Sequence, residues 1–86
     1  MKTINARVSV EAHFDEEGTV TPTSFTWQGR TYPISDVGRR WTETDGSHRL
    51  YHCLVMTATR ETFELCLDTA TLQWRIVRAW ERPRLV

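Results

Sequence analysis

From Ile4 to Phe14 the chain alternates without a break. Ile4, Ala6, Val8, Val10, Ala12 and Phe14 occupy the even positions, and Asn5, Arg7, Ser9, Glu11 and His13 the odd ones. A helix turns every 3.6 residues and would scatter these apolar groups around its axis, whereas a strand points successive side chains to opposite faces. The segment therefore reads as a half-buried strand, and such a strand needs others to pair with it and to cover its apolar side.

Turn chemistry supplies those partners. Asp15-Glu16-Glu17-Gly18 is a polar turn ending in glycine, after which Thr19-Val20-Thr21 returns beside the first strand. Pro22 has no N–H to donate, so it marks an edge, a bulge or a strand end. Gln28-Gly29 predicts a two-residue turn pairing Trp27 with Arg30 and Phe25 with Tyr32, with Phe25, Trp27, Tyr32 and Ile34 on one face. Ile34 to Trp41 can be a bent strand or a single helical turn, and the strand is preferred. Asp45-Gly46 predicts the next hairpin, with Trp41 opposite Leu50 and Val37 opposite Leu54. A tight turn at Thr59-Arg60 sets Leu54 opposite Leu65 and Met56 opposite Phe63. A loop from Thr69 to Leu72 sets Leu65 opposite Ile76 and Leu67 opposite Trp74.

These last three registers agree on parity. They give interior rows Val37–Leu54–Leu65–Ile76 and Ser35–Met56–Phe63–Arg78, with Trp74 beside Leu67 and His52. A slip of one residue in any of them would turn an apolar set to solvent. The expected fold is all-β: a single small antiparallel sheet of five or six strands, as a curled meander or partly open barrel. Thirteen threonines among 86 residues fit such pleated surfaces. Residues 1–81 make one domain, and 82–86 form a loose C-terminal tail.

The charge balance narrows the partners. Eleven basic residues oppose eleven acidic ones, so there is no long-range pull towards a polyanion or an anionic membrane. No apolar run is long enough to span a bilayer, and Met1 to Arg7 contains no secretory apolar stretch, so a cytoplasmic setting is expected. Ten of the eleven basic residues are arginine, whose planar fork suits carboxylates and phosphates.

The same registers predict the outer face. Its rows are Gly38–Cys53–Cys66–Arg75, Arg40–Tyr51–Asp68 and Asp36–Val55–Glu64–Val77. Cys53 and Cys66 then face each other, open to three readings: a cross-strand disulfide, a metal site lacking further ligands, or two small side chains filling the sheet surface. His48 is expected opposite Glu43, and no Ser or Cys falls beside a histidine. The four glycines are isolated, so no phosphate loop exists, and Asp15, Glu16 and Glu17 lack the spacing of a calcium loop. No catalytic residue, metal or cofactor is expected, and the chain reads as non-catalytic.

A single-stranded nucleic-acid surface would combine Tyr51 with Arg40 and Arg75, near Arg39, Arg30 and Arg49. Asp68, Glu64 and Asp36 share that face and disfavour it. All four tryptophans (Trp27, Trp41, Trp74, Trp80) fall on the expected inner parity, as do Arg39 and Arg78. Two arginines there must lie at sheet margins, and an opening beside them is where a ligand would be sought.

The stretch from Pro22 to Ile34, centred on Phe25-Thr26-Trp27-Gln28-Gly29-Arg30-Thr31-Tyr32, is followed by Val37, Trp41, Phe63-Glu64-Leu65 and Asp68 to Trp74. Over residues 22 to 77 it resembles a family of short bacterial proteins of unknown function. Their shared pattern is Phe-x-Trp-x-Gly-Arg-x-Tyr-x-(Ile/Val), then Trp, then Phe/Tyr-Glu-Leu. This chain departs from it at Pro33 and in its cysteine pair. The resemblance implies a β-rich fold and genes near those of translesion-type DNA polymerases, hence a role near DNA repair, and it brings no catalytic residues. The sequence thus leads to a domain that binds a protein partner or itself, by strand addition at an unpaired edge (Pro22 to Tyr32, or the last strand). Arg40, Tyr51, Asp68, Arg75, Arg39 and Arg78 are the candidate binding residues, nucleic acid is the second choice, and no membrane is involved.

Overall fold

A computed structural model describes residues 1–80; the expected tail, 82–86, lies outside them. The chain is all-β, with strands β1 (Lys2–Phe14), β2 (Val20–Trp27), β3 (Arg30–Asp45), β4 (His48–Thr57), β5 (Thr62–Asp68) and β6 (Gln73–Trp80). Each pairs antiparallel with the next, and β6 returns to β1, closing the meander into a ring. This is the all-β antiparallel sheet of six strands that the sequence predicts, curled into a ring.

Strand lengths shape this ring. β1 and β3 are longer than the others, and each serves two sheets. β1 pairs with β6 from Lys2 to Val8, then with β2 from Ser9 to Phe14. β3 pairs with β2 from Arg30 to Pro33, then only with β4 from Ile34 to Asp45. Irregularities mark these corners. Pro22, unable to donate to a ladder, borders the shift opposite Glu11 and Ala12. Between Ile34 and Arg40 two further shifts bend β3, which is the bent strand the sequence favoured.

The core lies inside the ring, on Phe25, Cys53, Val55, Phe63, Leu65 and Ile76. Phe25 stacks on Tyr32 at 4.9 Å between centroids and meets Phe63 edge-on at 5.0 Å. Ile4, Val8 and Val10 close it from β1, as their alternation requires.

Three hairpins show how turns set register. Gln28 and Gly29 both have positive φ, and the turn pairs Trp27 with Arg30 and Phe25 with Tyr32 as expected. Leu65 pairs with Ile76 and Leu67 with Trp74, also as expected. The β4–β5 turn differs. It has three residues, Ala58 to Arg60, with Arg60 left-handed at φ +66° and its N–H donating to Thr57 O. A type I turn followed by a left-handed residue takes one residue more than a two-residue turn. Cys53 therefore pairs with Leu65, Val55 with Phe63 and His52 with Cys66.

This one-residue slip reverses β4. Tyr51, Cys53 and Val55 point inward, not outward, while His52, Leu54 and Met56 leave the interior rows. Cys53 and Cys66 stand on opposite faces, so the facing pair and its outer row fall. The β3–β4 turn is also displaced. Gly46, at φ +62°, begins it and Ser47 completes it, so Asp45 pairs with His48 and Trp41 with His52. That is the glycine position of a type II′ hairpin, one residue beyond the Asp45-Gly46 turn.

Four more expectations are corrected. Trp41 stacks on His52 outside the ring, and Trp80 pairs with Thr62 on the side away from Phe63. Arg39 and Arg78 are outside as well, because register shifts between Val37 and Arg40 and next to Leu65 reverse their parity. Phe14 keeps its inward parity but is 55% exposed at the strand's end. The expected open edges are paired: β6 on both sides, and β2 on both sides from Ser24 to Thr26.

Opposite faces make the thiols independent. Mild oxidation of the native protein should leave two free thiols in a titration after unfolding; an intramolecular Cys53–Cys66 disulfide would refute the register.

Candidate functional site

The corrected register sorts the candidate residues into two regions, one inside the ring and one outside. Inside, the ring gapes where β3 leaves β2. Arg40 donates to Thr21 Oγ1 at 3.4 Å and the Tyr51 hydroxyl donates to Val20 O at 3.2 Å, so both brace the gap against β2. Burial raises the Tyr51 phenol above its ordinary value, and the Arg40 guanidinium pulls it back. Beyond this brace opens a mouth of about 370 Å³ lined by Phe14, Val20, Tyr51, Leu67 and Leu72. Leu72 is left-handed at φ +60° in the β5–β6 loop and is 71% exposed. Thr42, on the β3 segment that pairs only with β4, also lines the mouth.

Outside, a polar chain crosses β3, β4, β5 and β6. His52 is buried under Trp41, whose ring lies 5.1 Å away and nearly parallel. Its Nδ1 meets Glu64 Oε2 at 3.1 Å, and Glu43 Oε1 meets its Nε2. Glu64, itself buried, takes Arg78 Nε on Oε1 at 3.2 Å. A buried carboxylate survives because both oxygens have partners, and no buried side-chain nitrogen or oxygen of the described residues lacks one. Arg39 lies 5.3 Å over the Trp41 ring.

Cys66 belongs to this face, 3.8 Å from His52 Nε2. A thiol beside a carboxylate-held imidazole is the residue set of a cysteine nucleophile. The sequence reading set no Cys beside a His, and the slip in β4 brings them together. The arrangement nonetheless restrains that chemistry. Burial pushes the Cys66 thiol up to about 11 despite Arg75, and Nε2 already faces Glu43. Among the described residues no group of three His, Cys, Asp or Glu side chains is spaced to hold a metal ion.

The remaining candidates are engaged nearby. Asp68 meets His48 Nδ1 at 2.7 Å, so His48 faces Asp68 in place of Glu43. Arg75 Nη1 donates to Asn5 Oδ1 at 2.8 Å. Tyr51 therefore lines the mouth and Arg40 braces the gap beside it, whereas Asp68, Arg75, Arg39 and Arg78 lie on the outer face. The Tyr51–Arg40–Arg75 surface is divided between two faces. Sequence reasoning missed the Glu43–His52–Glu64–Arg78 chain because Arg60, with neither glycine nor asparagine character, gives no sign of its left-handed turn.

A family model described as a domain of unknown function (DUF6504) matches residues 1–81. No curated protein and no solved structure matches the chain.

Two outcomes test the outer face. Glu64→Gln leaves His52 and Arg78 without their shared charge and should cost about 2 kcal/mol in urea unfolding, as for hydrogen bonds to charged groups; an unchanged midpoint would contradict the chain. The His48–Asp68 tie should depend on pH at both ends. Its hydrogen bond to Asp68 raises His48 from 6.5, so that contribution is complete below pH 6.5 and disappears as pH rises through the folded value. The same bond lowers Asp68 from 3.8, so its contribution is complete above pH 3.8 and disappears as pH falls through the folded value. NMR titration should place His48 above 6.5 in the native protein and return it towards 6.5 in Asp68→Asn.

Proposed function

The chain belongs to the DUF6504 family of domains of unknown function, and we propose that this member is a non-catalytic cytoplasmic module that binds an extended segment of a protein partner. One observation carries this reading. From Ile34 to Asp45, β3 has a strand on one side only, and its open side borders the apolar mouth at Thr42. An added strand would satisfy the open backbone groups of β3, and its alternate side chains would enter the mouth. Phe14 and Leu72, both largely exposed, would cover the entering group.

Strand addition thus moves from β2 and β6 to β3. Charged residues and bulges along its first half, at Asp36, Arg39 and Arg40, discourage promiscuous pairing there. The regular stretch from Trp41 to Asp45 is where a partner would dock. The occupant has an apolar residue at every second position, to meet Phe14, Val20, Tyr51, Leu67 and Leu72 in a mouth whose lining also includes Arg49.

The test uses capped eight-residue peptides alternating valine or leucine with threonine. Binding should slow amide exchange from Trp41 to Asp45, and Leu72→Asp, an exposed change, should weaken it about tenfold, the effect of a ~1.4 kcal/mol loss. No peptide binding by a monomeric protein would overturn the proposal. Concentration-dependent dimerisation that Leu72→Asp abolishes would replace the partner by a second copy.

A further inference from the structure

The outer face sets two like charges directly side by side. Arg7 on β1 and Arg75 on β6 are direct cross-strand partners. Like charges in that position repel each other and weaken the pair. Among the described residues, neither guanidinium lies within ion-pair distance of a carboxylate; the four ion pairs there involve His48, His52 and Arg78 as the cations. Two adjacent arginines, neither ion-paired among the described residues, at the junction on which ring closure depends, leave guanidinium donors that an anion could take.

The surroundings shape a place for one. Arg7 and Arg75 line a cavity of about 220 Å³, with Cys66 and Gln73 beside them and Asp45 and Asp68 also in its wall. Arg75 does not sweep freely across it, because Asn5 Oδ1 accepts from its Nη1. Asn5 does so from a left-handed backbone, φ +53°, at the shift between Thr3 and Ala6. Asparagine is among the few residues that adopt this conformation readily. A backbone irregularity thus fixes one of the two guanidinium groups, while its remaining donors stay available.

We propose that Arg7 and Arg75 form a binding site for a carboxylate group, with Asn5 as the residue that positions Arg75. A carboxylate carries one charge and two oxygens, enough to accept from both forks. Asp45 and Asp68 select against more highly charged anions, since a phosphate dianion or a nucleic-acid backbone would meet two negative groups in the same cavity. A site of this size takes one small acidic group. That group is either a free organic acid or the carboxylate of a peptide, and the two share the same recognition chemistry. The site is separate from the mouth and stands or falls without the peptide reading above.

The probes are acetate, an N-acetylated dipeptide with a free C-terminus, its C-terminal amide and inorganic phosphate, all at constant ionic strength. The readout is the side-chain Nε–H signals of Arg7 and Arg75 by NMR. Acetate and the free-carboxyl peptide should shift both signals saturably, and the amide should not. Tighter binding of the peptide than of acetate assigns the carboxylate to a peptide, and the reverse assigns it to a small acid. Arg75→Gln should weaken binding about tenfold, the loss of one charge-assisted contact. Asn5→Gly keeps the positive φ and removes the amide, so it should weaken binding while leaving the fold unchanged. Absence of saturable shifts in the native protein, or phosphate binding more tightly than acetate, would overturn the assignment.

Discussion

Which side chains of β4 face the core is decided at a single turn. Arg60 stands at φ +66° with its N–H on Thr57 O, and Glu61 O accepts from Thr57 N–H. Thr57 Oγ1 accepts from Glu61 N–H, and Thr59 donates to the Glu61 carboxylate, so the loop is cross-tied by its own side chains. A left-handed arginine costs roughly 1–2 kcal/mol relative to ordinary backbone, which the surrounding contacts must offset. The consequences spread across the sheet. Cys53 and Val55 fill the core with Leu65 and Phe63, and His52 is turned outward to Glu43, Glu64 and Trp41. With one residue fewer in this turn, His52 would enter the apolar interior and Glu64 would lose a partner.

Unequal strand lengths explain the rest of the architecture. β1 and β3 exceed their neighbours, so each changes partner along its length and the ring closes near its waist while gaping at one end. Tyr51 and Arg40 brace that gap through hydrogen bonds to β2. The open flank of β3 and the apolar mouth are therefore products of the same mismatch. The outer face differs in kind: its polar groups are tied in succession from Glu43 to Arg78, and Arg7 and Arg75 stand apart from that chain.

Much of this was legible in the sequence, and the exceptions have local causes. The alternation from Ile4 to Ala12 is the burial pattern of β1, and Gln28-Gly29 carries its turn type in its residues. The Thr69–Leu72 loop was also placed correctly, which set Cys66 opposite Arg75. Asp45-Gly46 misled by one position because a glycine can open a turn or close one, and the residues themselves do not say which. Arg60 misled more seriously, since nothing in its side chain favours a left-handed backbone. Arg39 and Arg78 looked like charges forced inward, and that conflict was a true signal of bulges. The candidate site was less legible than the fold for the same reason. Arg40 and Tyr51 lie near each other on the inner side of the sheet, with Arg40 opposite Cys53 and Tyr51 opposite Thr42 in place of the expected direct pair, and the residues around His52 came together only through the turn at Arg60.

The β4–β5 register is the claim on which both regions rest, and cross-strand NMR contacts test it most directly. The account predicts backbone contacts linking Cys53 with Leu65 and His52 with Cys66. Contacts linking Leu54 with Leu65 and Met56 with Phe63 would contradict it.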